Sequence, residues 1–278
     1  FENWRKLVYK NHPYAYDSIG YLNNLSNINH EDVVEEYNDF KKRKKVLLSN
    51  HFYRNMQNID SLVSHKSMDN YFNYEKNNNN KYKKECSVHY QNTNQIIILI
   101  GNKTCSCRNN EFINLKILES HLAFGMSSQL FKIFRERNGL TYESGVFCPL
   151  RKTSAPFVIY LSSSPKNFLD AFNHLINLWD QITTKLLSQD ELDLAKTKLN
   201  AAISVSSQTT EDIINRKVQH IGLGMDPKLD EKLFNEITNI DSKEILETAQ
   251  KYLLNPSLSI SGKKNYSDQL KNIWQDKL

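Results

Sequence analysis

An arginine and a tyrosine stand seven residues apart across a predicted helix-to-strand turn, at Arg135 and Tyr142. Apolar spacing before Arg135 indicates the helix, and a strand-like segment begins at Ser144. The two side chains supply one permanently charged donor and one phenolic donor. Donors that converge on one point suit a peptide carbonyl, or the oxyanion that this carbonyl becomes during hydrolysis. The stretch therefore suggests peptide hydrolysis, although no complete protease centre is visible in the sequence.

The elements that must position this pair predict an α+β domain. Strands are predicted over 95–101, 144–148, 157–162 and from Leu258. Helices are predicted over 111–124, from the cap Ser127 to about 137, from Pro165, from the capping box Ser188–Glu191 and over 211–223. Gly139 stands just past the end of the second helix, where glycine commonly follows a helix. This order favours helices packed on one face of a mainly antiparallel or mixed sheet.

An internal echo indicates two related domains. Residues 27–36 match residues 239–248 at an offset of 212 positions, and each copy opens with a predicted capping box. We therefore predict that 1–72 is the C-terminal part of a preceding domain, 73–84 is an Asn/Lys-rich linker and 85–278 is the complete second copy. Chance similarity between two amphipathic helices is the alternative. Because the chain opens in mid-pattern at Phe1, we expect a fragment or a processed product.

The composition of the chain bears on its cellular compartment and on its classes of partner. Cys86, Cys105, Cys107 and Cys148 do not form a disulfide framework in a chain this long, which favours reduced thiols in an intracellular or organellar compartment. Cys86 with His89, and Cys105 with Cys107, match no strong zinc spacing. The modest net charge of +5 does not call for a nucleic-acid partner. No apolar run approaches the roughly 20 residues that a membrane span needs.

The stretch from Gly125 to Tyr142 resembles the pitrilysin-like zinc peptidases, the inverzincins. That family tends to have here a small-residue turn, Ser-Arg-Leu-Phe, then Arg-Glu-Lys, Gly-Leu and Tyr. Gln129 stands where the family often has Arg. Further similar segments, in the family's order, are His12–Tyr14, Gly20, Glu31–Val33, Phe157–Asn167 and Leu187–Lys196. The matches together cover most of the chain outside 73–84.

The resemblance implies a divided active site. In this family two similar domains form each half of the molecule, and the N-terminal half carries zinc through His-x-x-Glu-His, whose Glu is the general base. The C-terminal half contributes the arginine and the tyrosine. By resemblance, Tyr142 would donate to the developing oxyanion and Arg135 would hold a neighbouring substrate carbonyl. The substrates would be unfolded peptides or targeting presequences, and the partner would be an N-terminal catalytic half or a separate subunit.

None of the eight histidines belongs to a His-x-x-Glu-His motif. The resemblance therefore implies that zinc is bound by another domain or subunit, that this chain has no metal ligands, and that this chain alone is inactive. The first hypothesis is the C-terminal substrate-binding half of a zinc metalloendopeptidase. A non-catalytic core or scaffold subunit of a processing-peptidase-like complex is the second, and a stand-alone peptide-binding module is the third. Since processing peptidases work in mitochondria and plastids, the predicted compartment is intracellular, with these organelles as alternatives.

Each proposed role has a structural alternative. Arg135 could be a solvated cation that compensates the dipole at a helix end, and Tyr142 a half-buried aromatic at a strand edge. The strand over 95–101 could add an extended substrate to its edge, or it could be an ordinary interior strand. The basic run over 41–45 is typical of a solvated helix C-terminus rather than of a nucleic-acid patch.

Overall fold

The computed structural model describes residues 1–17, 19–43, 45, 48, 84–226 and 229–276, with only the backbone described for 229–232. The helices are α1 Glu2–Tyr9, α2 Leu22–Leu25, α3 His30–Lys42, α4 Phe112–Ala123, α5 Phe168–Thr184, α6 Gln189–Val205, α7 Thr210–Gly222, α8 Leu229–Asn239, α9 Ser242–Leu253 and α10 Lys264–Gln275. A short 3-10 turn covers Pro13–Ala15, and a π-helix covers Phe131–Arg137. The strands are β1 Cys86–Tyr90, β2 Ile96–Lys103, β3 Thr141–Phe147, β4 Pro156–Ser163 and β5 Ser257–Gly262. None of the described helices is long and apolar enough to cross a membrane.

The strands form one mixed sheet in the order β1-β5-β2-β4-β3. Three neighbouring pairs are antiparallel, and β1 runs parallel to β5. The predicted α+β class is therefore confirmed, with a mixed sheet. Strand β2 pairs with β4 along one edge and with β5 along the other. The suggestion that the strand over 95–101 adds a substrate strand is wrong, because neither of its edges is open.

The main core lies between one face of the sheet and a layer of helices. Ile96, Ile98 and Ile100 alternate along β2 with their side chains buried in this core. Because successive strand residues point to opposite faces, this alternation fixes which face of β2 the helices cover. Helices α4 and α9 pack together, and α5 packs on α9.

Helix α1 covers part of the opposite face of the sheet. Trp4 is fully buried there, and its indole Nε1 donates a hydrogen bond to the Ser257 carbonyl over 3.2 Å. The same cluster holds Leu99 of β2 and Val158 of β4. The sequence analysis predicted helices on one face of the sheet only. Leu99 and Val158 on the second face are apolar as well, and α1 buries them.

The two echoing segments form the same local structure in different surroundings. Capping boxes begin both helices: Asn29 with Asp32 at α3, and Asp241 with Glu244 at α9. Ile245 of α9 is only 3% exposed, whereas its counterpart Val33 on α3 is 56% exposed. The apolar side of α3 is therefore uncovered by the described residues. The predicted linker over 73–84 lies outside the described residues, apart from residue 84.

Candidate functional site

Arg135 lies on the π-helix, where the sequence predicted a regular helix. Gly125, at a φ of 71°, ends the preceding helical run, and Ser128 rather than Ser127 accepts a hydrogen bond from the Phe131 amide over 3.4 Å. Phe134 is fully buried and anchors the π-helix in the main core. Wider π-type turns inside helices occur frequently at functional sites.

The guanidinium of Arg135 is exposed and is not held by a carboxylate. It lies over the Phe131 ring, 5.6 Å from the ring centroid. Within the described part of the chain, no carboxylate forms an ion pair with Arg135. The ring attracts the cation only weakly at an exposed site, by about 0.5–1 kcal/mol. The five N–H donors of this side chain are thus available for a ligand at little cost.

Tyr142 is the extra residue of a β-bulge. In the pairing of β3 with β4, Thr141 faces Ser163 and Glu143 faces Ser162, so that Tyr142 has no partner of its own. Its side chain is 68% exposed, which rules out the half-buried strand-edge alternative. Bulges re-aim side chains and are common beside active sites. The phenol therefore points out of a fixed sheet edge as an exposed hydrogen-bond donor.

A three-residue turn, Asn138–Leu140, joins the π-helix to β3, and the two elements pack against each other. Gly139 has a φ of 56°, a left-handed conformation that favours glycine. The Leu140 amide donates to the Phe134 carbonyl over 2.7 Å, and the Asn138 amide group donates to the Ile133 carbonyl over 2.7 Å. These bonds close the turn onto the π-helix. Arg135 and Tyr142 consequently flank one short, hydrogen-bonded turn.

Hydrogen bonds from β4 and from the N-cap residue of α5 also hold the turn, and the sequence analysis did not predict these contacts. The Ser163 hydroxyl donates to the Leu140 carbonyl over 2.6 Å, and the Asn167 amide group donates to the Gly139 carbonyl over 3.2 Å. Both residues lie in the segment that resembles the family's strand and helix opening. That segment was the available signal, but it does not say what the side chains contact.

Gln129 forms a contact at the place where the family often has Arg. Its Nε2 donates to Glu191 Oε1 over 3.3 Å. Partial burial raises the pKa of Glu191, but hydrogen bonds from the backbone and hydroxyl of Ser188 outweigh it and lower the pKa overall. The carboxylate is therefore kept charged, and a neutral amide here replaces a cation without leaving the acid unpaired.

The four cysteines are free thiols, of which Cys105, Cys107 and Cys148 are buried and Cys86 is partly buried. Burial raises the pKa of Cys86 to about 11 and the pKa of Cys105 to about 11, and it raises the pKa of Cys148 further. Cys107 Sγ lies 3.4 Å from Met225 Sδ. Metal binding needs the thiolate, which these surroundings disfavour. Among the residues that the structure describes, no group of three or more His, Cys, Asp or Glu side chains could hold a metal ion, so the zinc that the resemblance implies has no fitting site there.

Several solved structures share this α/β fold over almost the whole chain. A peptidase M16 inactive domain from Pseudomonas fluorescens superposes with a TM-score of 0.72 at 14% identity, over 95% of this chain and 64% of that one. A protease from Helicobacter pylori gives 0.72 at 14% identity, over 90% and 63%. A chain of complex III2 from Candida albicans, bound to Inz-5, gives 0.72 at 12% identity, over 98% and 69%. At these identities the likeness establishes the fold alone.

A match between the amino-acid sequence and a family model identifies the family. The model of the Peptidase M16 inactive domain matches residues 24–199, and the chain belongs to this family. The resemblance to the C-terminal half of pitrilysin-like zinc peptidases is thereby confirmed. An uncharacterized zinc protease from Rickettsia felis is 28% identical over 130 residues, which are 46% of this chain and 31% of that protein. The chain thus spans about a third of the length of this curated relative.

Proposed function

We propose that this chain is the substrate-binding half of a zinc metalloendopeptidase that cleaves unfolded peptides or targeting presequences. The observation that carries the proposal is that two exposed donors flank one hydrogen-bonded turn: the bulged Tyr142, and the guanidinium of Arg135, which pairs with no carboxylate among the described residues. Exposed donors that form no hydrogen bond or ion pair with the described residues are suited to a ligand. The family supplies the reaction class, since its other half is associated with zinc-dependent hydrolysis.

Tyr142 and Arg135 would act at two adjacent points of the bound peptide. The phenolic O–H of Tyr142 donates to the scissile carbonyl oxygen as it becomes an oxyanion. The guanidinium of Arg135 leaves the Phe131 ring and donates to a neighbouring peptide carbonyl, which fixes the register of the substrate. Zinc, when bound by the other half, supplies a polarised carbonyl and an activated water. Removal of one such oxyanion donor typically costs about 3 kcal/mol of transition-state stabilisation.

The partner would be the zinc-bearing N-terminal half or a separate subunit that supplies it. Residues 1–72 would be the C-terminal part of a preceding domain of the same family. The apolar side of α3, which the described residues leave uncovered, supports this assignment. The echoing helix α9 has the same capping box and buries the corresponding side against α4, α5 and β2. The predicted compartment, intracellular with mitochondrion or plastid as alternatives, stays a prediction.

A non-catalytic scaffold subunit is the second candidate function. The fold likeness to a complex III2 chain and the family description as an inactive domain favour it. The two candidates differ in the partner: a His-x-x-Glu-His motif in the partner half supports the enzyme, and a partner without that motif supports the scaffold.

The experiment compares the chain alone with the chain assembled with its partner half, using a quenched fluorogenic peptide of unstructured sequence. We expect no cleavage and no stoichiometric zinc for the chain alone, and cleavage with one zinc per assembly. Arg135→Ala should lower kcat/KM by about 10–100-fold, the loss expected for one charge-assisted hydrogen bond. The matched control is Arg137→Ala, which removes an exposed arginine from the same π-helix.

Two results would decide against the proposed function. An assembly that forms but does not cleave would favour the scaffold. Equal losses for Arg135→Ala and Arg137→Ala would mean that only general positive charge matters at this surface.

A further inference from the structure

We propose that Ser163 and Asn167 are positioning residues that hold Arg135 and Tyr142 in register, an inference that rests on the proposed function. Ser163 ends β4, and Asn167 is the N-cap residue of α5. They donate hydrogen bonds to the carbonyls of Leu140 and Gly139, two successive residues of the turn. The end of β4 and the start of α5 thus hold the turn through two successive carbonyls.

The Ser163 bond is the stronger of the two contacts. The Ser163 side chain is fully buried, and its hydroxyl lies 2.6 Å from the Leu140 carbonyl oxygen. A buried carbonyl that loses its donor keeps the desolvation cost without the compensating bond. The Asn167 contact is longer, 3.2 Å, and exposed, so water can replace part of it. We therefore expect a larger effect from Ser163.

Ser163 also lies opposite the residue that precedes the bulge. Thr141 pairs with Ser163 across β3 and β4, and the register slips at the next residue, Tyr142. One residue therefore fixes the turn through its side chain and the start of the bulge through its backbone pairing. The place where Tyr142 leaves the sheet depends directly on this residue.

Hydrogen bonds between the turn and the π-helix cannot alone fix the turn relative to β4. The Leu140 amide and the Asn138 side chain bond back to the π-helix, which fixes the turn relative to Arg135. Among the hydrogen bonds of the described residues, those from Ser163 and Asn167 tie the two turn carbonyls to the segment around the end of β4. Gly139 lies between Asn138 and Leu140, and its permissive backbone would allow the turn to move if these bonds were lost. A displacement of about 1 Å at a catalytic group can cost about 100-fold in rate.

The test compares Ser163→Ala with Ser120→Ala in the assembled protease. Ser120 is also fully buried and donates to a backbone carbonyl, that of Ala195, over 2.8 Å, but it lies on α4 outside the turn. Both variants should lose similar thermal stability. We expect Ser163→Ala to lower kcat by about 10–100-fold with a smaller change in KM, and Ser120→Ala to stay within about twofold of wild type.

A double variant reports whether Ser163 acts through the catalytic tyrosine. If it does, adding Ser163→Ala to Tyr142→Phe should lower kcat by less than about threefold, because the positioned group is already gone. Independent, fully multiplied losses would overturn the inference. If Ser163→Ala fails to fold, Asn167→Ala decides, with an expected kcat loss of about 3–10-fold.

The failure of this inference is distinguishable from the failure of the proposed function. If Tyr142→Phe keeps wild-type kcat, the proposed function is wrong and the positioning role falls with it. If Tyr142→Phe loses activity while Ser163→Ala behaves like Ser120→Ala, only the positioning role is overturned.

Discussion

Gly101→Ala should strongly destabilise the protein, because Gly101 lies in the middle of the sheet against backbone atoms of β4. A Cβ at this residue would lie 2.3 Å from the Phe157 carbonyl oxygen and 2.8 Å from Val158 Cα. Neither atom can rotate away, since both belong to the β2–β4 ladder. Overpacking of an ordered core typically costs about 1–3 kcal/mol. We expect about 3 kcal/mol here, because relief requires the two strands to separate.

Urea unfolding followed by tryptophan fluorescence measures this loss. With a slope of about 2–3 kcal/mol per molar urea, the midpoint should fall by about 1 M. Gly222→Ala is the matched control, because Gly222 ends α7 and an added Cβ meets nothing within 4 Å. This control should gain up to about 1 kcal/mol from helix propensity. A midpoint for Gly101→Ala equal to that of wild type would refute the close pairing of β2 with β4.

Two further predictions concern a helix cap and an ion pair. Asp241→Ala removes the cap of the buried helix α9 and should cost about 1 kcal/mol in urea unfolding, whereas Asn29→Ala at the exposed helix α3 should leave the main midpoint unchanged; equal shifts would contradict this. Glu111 is partly buried, which raises its pKa, but hydrogen bonds from Lys251 and Tyr252 outweigh this and lower it. Because the pKa is lower in the folded state, the ionised carboxylate stabilises the protein at pH values above the unfolded pKa of about 4.3. This stabilisation is lost as the pH falls through the folded-state pKa. Glu111→Gln should therefore cost up to about 1 kcal/mol of stability at pH 7, a loss that the exposure of the pair limits. The difference in thermal unfolding temperature between this variant and wild type should disappear at acid pH, and a difference that does not change with pH would contradict the prediction.

Local sequence signals predicted much of the fold. The capping boxes at Asn29, Ser188 and Asp241 form as predicted, because each depends on residues only three apart. Gly139 follows the helix that ends at Arg137 and takes the left-handed conformation. Strand β2 was recognisable from its apolar run. Signals of this kind need no knowledge of the distant partner.

The features around the candidate pair were not predictable, because they depend on partners far along the chain. The seven residues over 131–137 are too few for their apolar spacing to distinguish a π-helix from an α-helix, so the sequence indicated only a helix. The bulge at Tyr142 exists only relative to β4, and the period-2 pattern of a single strand does not reveal it. The Ser163 bond to Leu140 joins residues 23 apart in sequence. Strand β1 escaped prediction as well, since its parallel pairing with β5 spans more than 160 residues.

The candidate pair itself was identified from residue types and from resemblance. The structure describes Tyr142 as exposed and bulged and Arg135 as unpaired by any described carboxylate, but the roles of both remain proposals. A solvated helix-end cation would look the same as Arg135 in the free protein. Tyr142 is therefore the more informative residue to test.

The most direct measurement is the kcat of Tyr142→Phe in the proposed assembly of this chain with a zinc-bearing half. This change removes one hydroxyl from an exposed ring and should leave stability unchanged within about 0.5 kcal/mol. We expect kcat to fall about 100–1,000-fold with KM nearly constant, as for the loss of a donor that acts mainly in the transition state. A Tyr142→Phe enzyme with wild-type kcat would contradict the oxyanion role and, with it, the account of this chain as half of a divided active site.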